Sequence, residues 1–203
     1  MKSVLITGAN SGIGFATAQR FLGARYRVLA HYHENKQNLE RIDNPNLHLF
    51  KANLANLEEI EKLFSECVAS TSERGVDILV NNAGTSARGP FEEITDEVWQ
   101  ADLDIKLFAA IRTCRLAMPG MKERRWGRIL NIATVGAKAP GPGGAPTAVS
   151  RAAGMALTKV LAGEGAPYNV LVNALCTGKI ITDQVARRHQ KLRPDMSLED
   201  YLA

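Results

Sequence analysis

The sequence predicts an α/β protein in which helices cover both faces of a parallel sheet, and three observations carry this prediction. Short apolar, β-branched runs alternate with amphipathic helical patterns along the chain. The segment Asp77–Asn81 (DILVN) holds a continuous apolar run, which is typical of a strand buried on both faces. The segment Thr7–Gly14 (TGANSGIG) places three glycines directly between a predicted strand and a predicted helix.

The positions of these patterns predict the order of the elements. Six strands are predicted, over Ser3–Thr7, Arg27–Tyr32, Leu47–Ala52, Asp77–Asn81, Arg128–Ile132 and Val170–Ala174. Helices are expected over Gly12–Leu22, after a capping box of Asn56 and Glu59, after a cap at Thr95, and from about Ala148 to Gly163. The simplest strand order is 3-2-1-4-5-6, which makes the fold class a Rossmann-type, doubly wound parallel sheet.

The composition argues against several classes of protein. The chain has 203 residues, of which 45% are apolar, so we expect one core and a single domain over residues 1–203. A net charge of +4 with scattered basic residues does not indicate a nucleic-acid partner. Three cysteines without CxxC spacing predict neither a disulfide framework nor a metal site. No apolar run could span a membrane and no leader is apparent, so we expect a cytoplasmic protein.

The glycine turn has the spacing that a dinucleotide needs. Gly8 permits a tight turn after the first strand, Gly12 lets the backbone approach a diphosphate, and Gly14 lets helix and strand pack closely. The diphosphate would then meet the free N–H groups at the start of the helix. We therefore expect nucleotide binding at this turn.

Further motifs along nearly the whole chain are shared with one family. They are Asn81–Gly84 (NNAG) at the end of the fourth strand, the Gly127–Val135 strand, and Val172–Ala174 followed by Gly178 and Thr182. Together with Thr7–Gly14, they make the chain resemble the short-chain dehydrogenase/reductases. The resemblance implies a sheet that binds NAD or NADP and an oxidoreductase of a small carbonyl or alcohol.

The resemblance also implies which residues contact the dinucleotide. The phosphates would be lined by Gly8, Ser11, Gly12, Ile13 and Gly14. Asn53 would face the adenine, Asn82 and Gly84 with Ala83 between them would lie along the adenosine ribose, and Thr182 would reach the nicotinamide carboxamide. The alternative is a Rossmann fold that no longer binds a nucleotide.

The end of the second strand bears on the choice between NAD and NADP. The acid that would hold the ribose 2′-OH of NAD is replaced by His31. His31, His33 and Lys36 could lie near a 2′-phosphate, which favours NADP. Glu34 is close enough to oppose this, so NAD also remains possible.

The catalytic positions that the resemblance implies all carry unusual residues. The family uses a Tyr as general acid/base, a Lys four residues later, a Ser that orients the carbonyl, and an Asn. Here these positions hold Thr147, Arg151, Thr134 and Lys106. A Thr hydroxyl is too weak an acid to replace a phenol, and an Arg keeps its proton. The usual proton donor is therefore missing.

Two interpretations of this site remain open. The chain could be a catalytically inactive dinucleotide-binding or regulatory protein. Alternatively, Lys106 beside the Arg151 charge could have a lowered pKa and donate the proton, with Arg151 holding the ribose and Thr134 binding the substrate oxygen. The second interpretation makes the chain an NADP(H)-linked oxidoreductase with an atypical site.

The resemblance has consequences for assembly as well. The family commonly pairs through the two helices that here carry Leu103–Met118 and Ala148–Gly163, so we expect a homodimer. The chain ends at Ala203, before the last strand of the family's sheet. We therefore expect a sheet truncated at its C-terminal edge, with Val170–Ala174 as the exposed edge strand.

Overall fold

The computed structural model describes residues 1–71, 75–178 and 180–202. Six parallel strands form one sheet in the order β3-β2-β1-β4-β5-β6, as predicted. The strands are β1 Ser3–Ile6, β2 Arg27–Tyr32, β3 Leu47–Lys51, β4 Ile78–Asn81, β5 Gly127–Thr134 and β6 Val170–Thr177. The predicted fold class is thus confirmed.

Most helices lie between consecutive strands in the chain, and the last two follow β6. They are α1 Gly12–Gly23, α2 Gln37–Glu40, α3 Leu57–Ser70, α4 Asp96–Leu103, α5 Ala109–Glu123, α6 Thr147–Gly165, α7 Asp183–Leu192 and α8 Leu198–Leu202. A π-helical turn, Asp104–Phe108, joins α4 to α5 without a break. Such turns insert an extra residue into a helix and often occur at functional sites.

Apolar side chains of the strands build a core on each face of the sheet. Leu5, Leu29 and Leu79 pack into one core with residues of α3 and α5. Val4 and Val28 point to the opposite face, into a second core that includes α1. This alternation explains why the strands read as continuous apolar runs, since both of their faces are buried.

Local polar contacts decide where several elements begin and end. The Asn56 side chain accepts a hydrogen bond from the Glu59 N–H (3.1 Å), as predicted for the start of α3. The Glu59 carboxylate, however, accepts from the Asn53 N–H (2.7 Å). Asp77 lies directly before β4, and its carboxylate accepts a hydrogen bond from the Ser3 N–H (2.8 Å). This bond joins the beginnings of β1 and β4.

A buried polar network fixes β4 and β5 against the helices behind them. Asn81 donates to Asn131 (2.9 Å) and accepts from the Thr113 hydroxyl (2.8 Å). Asn131 in turn donates to the Thr158 hydroxyl (2.9 Å). Because buried amides keep a single geometry only when they are bonded, this network holds the carboxyl ends of two strands, α5 and α6 in one arrangement.

The last strand lies at an edge of the sheet. β6 pairs only with β5 in the described part of the chain, and it continues to Thr177, beyond the predicted end at Ala174. Leu171 and Leu175 on this strand are 44% and 48% exposed. No helix among the described residues is both long and apolar enough to cross a membrane.

Candidate functional site

A cleft of about 650 Å³ lies beyond the carboxyl ends of the strands. This edge is where parallel α/β sheets bind ligands. Residues of the glycine turn, of the loops after β4 and β5, and of the segment after β6 line it. The predicted site residues among them are Gly8, Ser11, Gly12, Ile13, His31, Asn82, Ala83, Gly84, Thr134, Thr147, Arg151 and Thr182.

The glycine turn has the backbone geometry that its sequence predicts. Gly8 and Gly12 adopt φ angles of +66° and +53°, in the left-handed region that favours glycine. A Cβ on Gly14 would overlap the Gly8 carbonyl oxygen and would lie 2.6 Å from Asn82 Nδ2, so only glycine fits where α1 meets the turn. Gly14 itself does not line the cleft.

The start of α1 is suited to an anion. Ser11 precedes the helix, and its side chain makes no capping hydrogen bond. The first N–H groups of the helix therefore keep their hydrogen-bonding capacity, and the positive end of the helix dipole lies at the same place. Gly12 and Ile13 line the cleft here, so this is the position for a cofactor phosphate.

Thr7 and Asn82 hold the glycine turn against the end of β4. The Thr7 hydroxyl accepts from the Asn82 and Ala83 N–H groups (2.9 and 3.0 Å). The Asn82 amide donates to the Thr7 and Gly8 carbonyls (3.0 and 3.1 Å). The side-chain amide of Asn82 thus supports the turn, and the role of Thr7 was not predicted from the sequence.

His31 lies beneath the same turn and does not behave as a cation. Its Nδ1 accepts from the Gly8 N–H (3.0 Å), and its Nε2 lies 2.9 Å from the Ala52 carbonyl, to which it donates. Burial lowers the pKa of His31 to about 4. Both ring nitrogens are therefore used, and the expected contact with a 2′-phosphate has no free donor on this residue.

Two other residues that were predicted at the adenosine end do not line the cleft, and their contacts with the cofactor remain predictions. Lys36 forms an ion pair with Glu40 (2.8 Å) and does not line the cleft, which leaves His33 there. Asn53 likewise lies outside the cleft lining, because its side chain turns back to accept from the Ala55 N–H (3.0 Å). Leu54 takes its place in the lining.

Thr182 lies at the glycine turn. Its methyl carbon would be 3.5 Å from a Cβ on Gly12, and its hydroxyl accepts from the Val185 N–H (3.3 Å) to cap α7. Gly178, Ile180, Thr182 and Val185, all after β6, thus line the cleft together with the glycine turn. A contact of Thr182 with the nicotinamide carboxamide remains a prediction.

Three of the four predicted catalytic residues face the cleft and one does not. Thr134, Thr147 and Arg151 line it, whereas the Lys106 side chain is 0% exposed and lies behind the cleft wall. Lys106 belongs to the π-helical turn, which directs it back towards α4 and α6. The geometry therefore does not support its role as a proton donor to a substrate.

Asp102 organises the cluster in which Lys106 is held. Its carboxylate forms an ion pair with the Lys106 ammonium and accepts from the Ser150 hydroxyl (2.6 Å). Lys106 also donates to the Thr147 hydroxyl (3.0 Å). Asp102 was missed in the sequence, although its position four residues before Lys106 is the spacing of a helical ion pair.

Opposing electrostatic effects act on the pKa of Lys106 in this cluster. Burial, followed by the charges of Arg151 and Arg88, lowers the pKa of Lys106. The Asp102 carboxylate in contact with the ammonium acts in the opposite direction and favours the charged form. Because Nζ is in direct contact with the Asp102 carboxylate, which stabilises a positive charge, we assign Lys106 the charged state and a positioning role.

Thr147 and Arg151 lie on the same helix, but their side chains differ in how many of their hydrogen-bonding groups are already used. The Thr147 hydroxyl accepts from the Ala87 N–H (3.0 Å) and lies 2.8 Å from the Ala87 carbonyl, so its proton is committed within the protein. Arg151 Nη1 donates to the Ile132 carbonyl (2.6 Å), and burial lowers the pKa of this guanidinium to about 10. Arg151 remains charged at neutral pH.

The described residues do not form a recognisable metal-binding site. Among residues 1–71, 75–178 and 180–202, no group of three or more His, Cys, Asp or Glu side chains could hold an ion. Cys67 and Cys114 are buried free thiols, and burial raises the pKa of Cys114 to about 12. Neither thiol lines the cleft.

Comparisons with known proteins agree with this geometry. The sequence matches the family described as short chain dehydrogenase over residues 2–193. Nodulation protein G of Rhizobium sp. (strain N33) is 36% identical over 182 residues, which cover 88% of this chain and 73% of that protein.

Solved structures share the fold. A short-chain dehydrogenase from Streptomyces avermitilis has a TM-score of 0.84 and 28% identity, over 90% of this chain and 67% of that one. ElxO with NADP bound has a TM-score of 0.89 and 24% identity, over 99% of this chain and 82% of that one. With the family match over nearly the whole chain, in addition to the glycine turn and the NNAG strand end, the protein belongs to the short-chain dehydrogenase/reductase family.

Proposed function

We propose that the chain binds NADP(H) in this cleft and oxidises or reduces a small alcohol or carbonyl through a site without the family's usual proton donor. The observation that carries the proposal is the glycine turn, where Gly8, Gly12 and the uncapped start of α1 form a cradle for a diphosphate. The volume of about 650 Å³ is within the range of small-molecule sites.

The choice of NADP over NAD rests on the absence of a carboxylate. None of the described residues that line the cleft is Asp or Glu, and His33 lies at its adenosine end. A ribose 2′-OH would therefore lack the acid that NAD enzymes use, whereas a 2′-phosphate would meet no negative charge. ElxO, which shares the fold, is a complex with NADP.

The proposed chemistry uses Thr134 and Arg151. When bound, NADPH supplies a hydride to a carbonyl carbon. The Thr134 hydroxyl accepts from the Gly136 N–H (3.3 Å), which leaves its hydrogen available for the carbonyl oxygen. The Arg151 charge stabilises the oxygen as negative charge develops there. Because Arg151 keeps its proton and Lys106 faces away, water would protonate the oxygen.

A second candidate is a dinucleotide-binding protein without redox activity. It is favoured by the Thr147 hydroxyl, which lies where the resemblance places the catalytic Tyr but is bonded to Ala87 and Lys106. The two candidates share the cofactor site and differ in turnover. Consumption of NADPH with a panel of aldehydes and ketones distinguishes them, since only the first candidate turns over.

Cofactor binding is tested by changing the charge at the start of α1. Ser11→Asp should weaken NADPH binding at least about tenfold, because a carboxylate would face the diphosphate, while Asp remains a good residue to precede a helix. Ser11→Asn is the matched neutral control and should bind NADPH almost as the parent does. Calorimetric titration with NADPH and NADH measures both; equal affinity for NADPH in the two variants would contradict the proposed phosphate position.

For assembly we propose a homodimer through α5 and α6. On α6, Val149 and Val160 are 50% and 59% exposed and lie on one stripe with Ala153, Ala156 and Gly163. Small side chains along such a stripe let a second helix approach closely. We also propose that a single nucleotide-binding domain over residues 1–203 acts in the cytoplasm, in keeping with free cysteines.

A further inference from the structure

Two arginines face the substrate end of the cleft without an acidic neighbour. Arg88 lies in the loop after β4, and Arg151 is on α6; both line the cleft. No Asp or Glu occurs among the described lining residues, and His31 is neutral. This end of the cleft therefore carries two positive charges and no negative one.

Both arginines are positioned by the same residue, Thr147. The loop residue Ala87 bonds Thr147 through its N–H (3.0 Å) and its carbonyl (2.8 Å), and Arg88 pairs with Pro146 in an antiparallel bridge. Arg151 follows Thr147 by one turn of α6. The backbone segments that carry Arg88 and Arg151 are therefore held together at Thr147, where the loop after β4 is hydrogen-bonded to α6.

The hydrogen-bonding capacity of the two guanidinium groups is largely unused. In the described chain, Arg88 forms no ion pair or side-chain hydrogen bond, and the Arg151 side chain bonds only the Ile132 carbonyl. Each guanidinium has five N–H donors. Asp102, the acid of the buried cluster next to Thr147, is already bonded to Lys106 and Ser150. Arg151 is partly buried, so its charge without a counter-ion is unfavourable until an anion reaches it, whereas Arg88 is exposed and can turn towards the same anion.

We propose that Arg88 and Arg151 bind an oxyanion of the substrate, a carboxylate or a phosphoryl group, so that the substrate is a small anionic carbonyl or alcohol compound. Guanidinium groups match both oxyanions through paired, charge-assisted hydrogen bonds. The hydroxyls of Thr85 and Ser86 line the same part of the cleft and could bond remaining oxygens. The identity as a redox substrate rests on the proposed function, whereas the binding of the anion does not.

The binding experiment compares each anion with a neutral counterpart. Protein with and without saturating NADPH is titrated calorimetrically with pyruvate, acetoacetate and levulinate, each beside its methyl ester. Dihydroxyacetone phosphate beside dihydroxyacetone tests the phosphoryl group. At least one anion should bind about tenfold more tightly than its neutral counterpart, the size expected for charge-assisted hydrogen bonds near the surface.

Variants assign the effect to the arginine. Arg88→Gln should remove most of the preference for the anion and leave the neutral counterpart unaffected, and Arg88→Lys, which keeps the charge, should restore part of it. Arg20→Gln, an exposed arginine of α1 outside the cleft, is the matched control and should change nothing. Urea unfolding of Arg88→Gln checks that the fold is retained.

The outcomes separate this inference from the proposed function. If no anion binds more tightly than its neutral counterpart, or if Arg88→Gln leaves the preference intact, the inference is wrong even where NADPH binds. If NADPH does not bind but an anion binds through Arg88, the proposed function is wrong and the anion site stands. Preference for the phosphate over every carboxylate would assign the oxyanion as phosphoryl.

Discussion

The buried pair of Asp102 and Lys106 gives the sharpest test of how this site is held together. Asp102→Asn would leave the Lys106 ammonium behind the cleft wall with only neutral partners, since the side chains of both residues are 0% exposed. Removing one partner of a buried ion pair costs roughly 3–5 kcal/mol, because the other charge stays in a poorly solvated place. Lys106→Met should cost a similar amount by isolating the carboxylate.

The double variant should be far less damaging than the sum of the two. With Asn at 102 and Met at 106, neither position buries a charge, Ser150 can still donate to the Thr147 carbonyl (3.1 Å), and the Thr147 hydroxyl keeps the Ala87 carbonyl (2.8 Å). We therefore expect a coupling free energy of at least about 2 kcal/mol in the cycle. Replacing a buried pair by neutral groups of similar size is often close to neutral.

Urea unfolding of the parent, both single variants and the double variant measures the cycle. Asp104→Asn is the matched control, because Asp104 lies two residues away and its carboxylate, in an exposed contact, accepts from Gln100 (2.9 Å) and from no other described residue. A change within about 0.5 kcal/mol is expected there. A coupling below about 0.5 kcal/mol would refute the reasoning. It would mean that Lys106 is reached by water, and the role of proton donor would regain support.

Two further predictions concern the glycine turn. The free energy of unfolding should fall by up to about 3 kcal/mol as the pH drops from 6.5 towards 4. Over this range His31 binds a proton in the unfolded state but not in the folded state, because its folded pKa is lowered to about 4. His31→Asn should flatten that part of the pH profile. Gly14→Ala should destabilise the protein and abolish NADPH binding, because the new Cβ would overlap the Gly8 carbonyl. Gly23→Ala in the same helix is the control, and because the space around Gly23 is open it should be neutral or slightly stabilising. Urea and thermal unfolding measure the stability of both variants.

The strand order and the glycine turn could be predicted because their causes are local. Apolar runs on both faces of a strand report burial, and the spacing of Gly8, Gly12 and Gly14 reports a backbone shape that other residues cannot adopt. The lengths of β5 and β6 were underestimated, since both continue into polar residues, Thr134 and Thr177. Those ends are stabilised by pairing with each other, which a single-strand pattern does not contain.

The contacts inside the cleft could be predicted only in part. His31 was placed at the correct strand end, but its ring turned inward, because the Gly8 N–H and the Ala52 carbonyl come together only in the folded sheet. Lys106 was located on the helix before β5, yet the π-helical turn that redirects it has no sequence pattern. Asp102 was overlooked for a different reason, because its partners Thr147 and Ser150 lie more than forty residues away in the chain.

The charged residues behind the cleft wall and those that line the cleft contribute differently to the electrostatic field inside it. Behind it, Lys106 is balanced by Asp102, so this pair adds little net charge to the cleft. In front of it, Arg88 and Arg151 are unbalanced, and their field acts on whatever reaches Thr134 and Thr147. Under the two proposals made above, these charges would stabilise both a negative oxygen that develops during reduction and an anionic substrate, and they would oppose the positive nicotinamide of NADP⁺. The same two residues would then bear on substrate binding, on the reaction and on which redox form of the cofactor the protein retains.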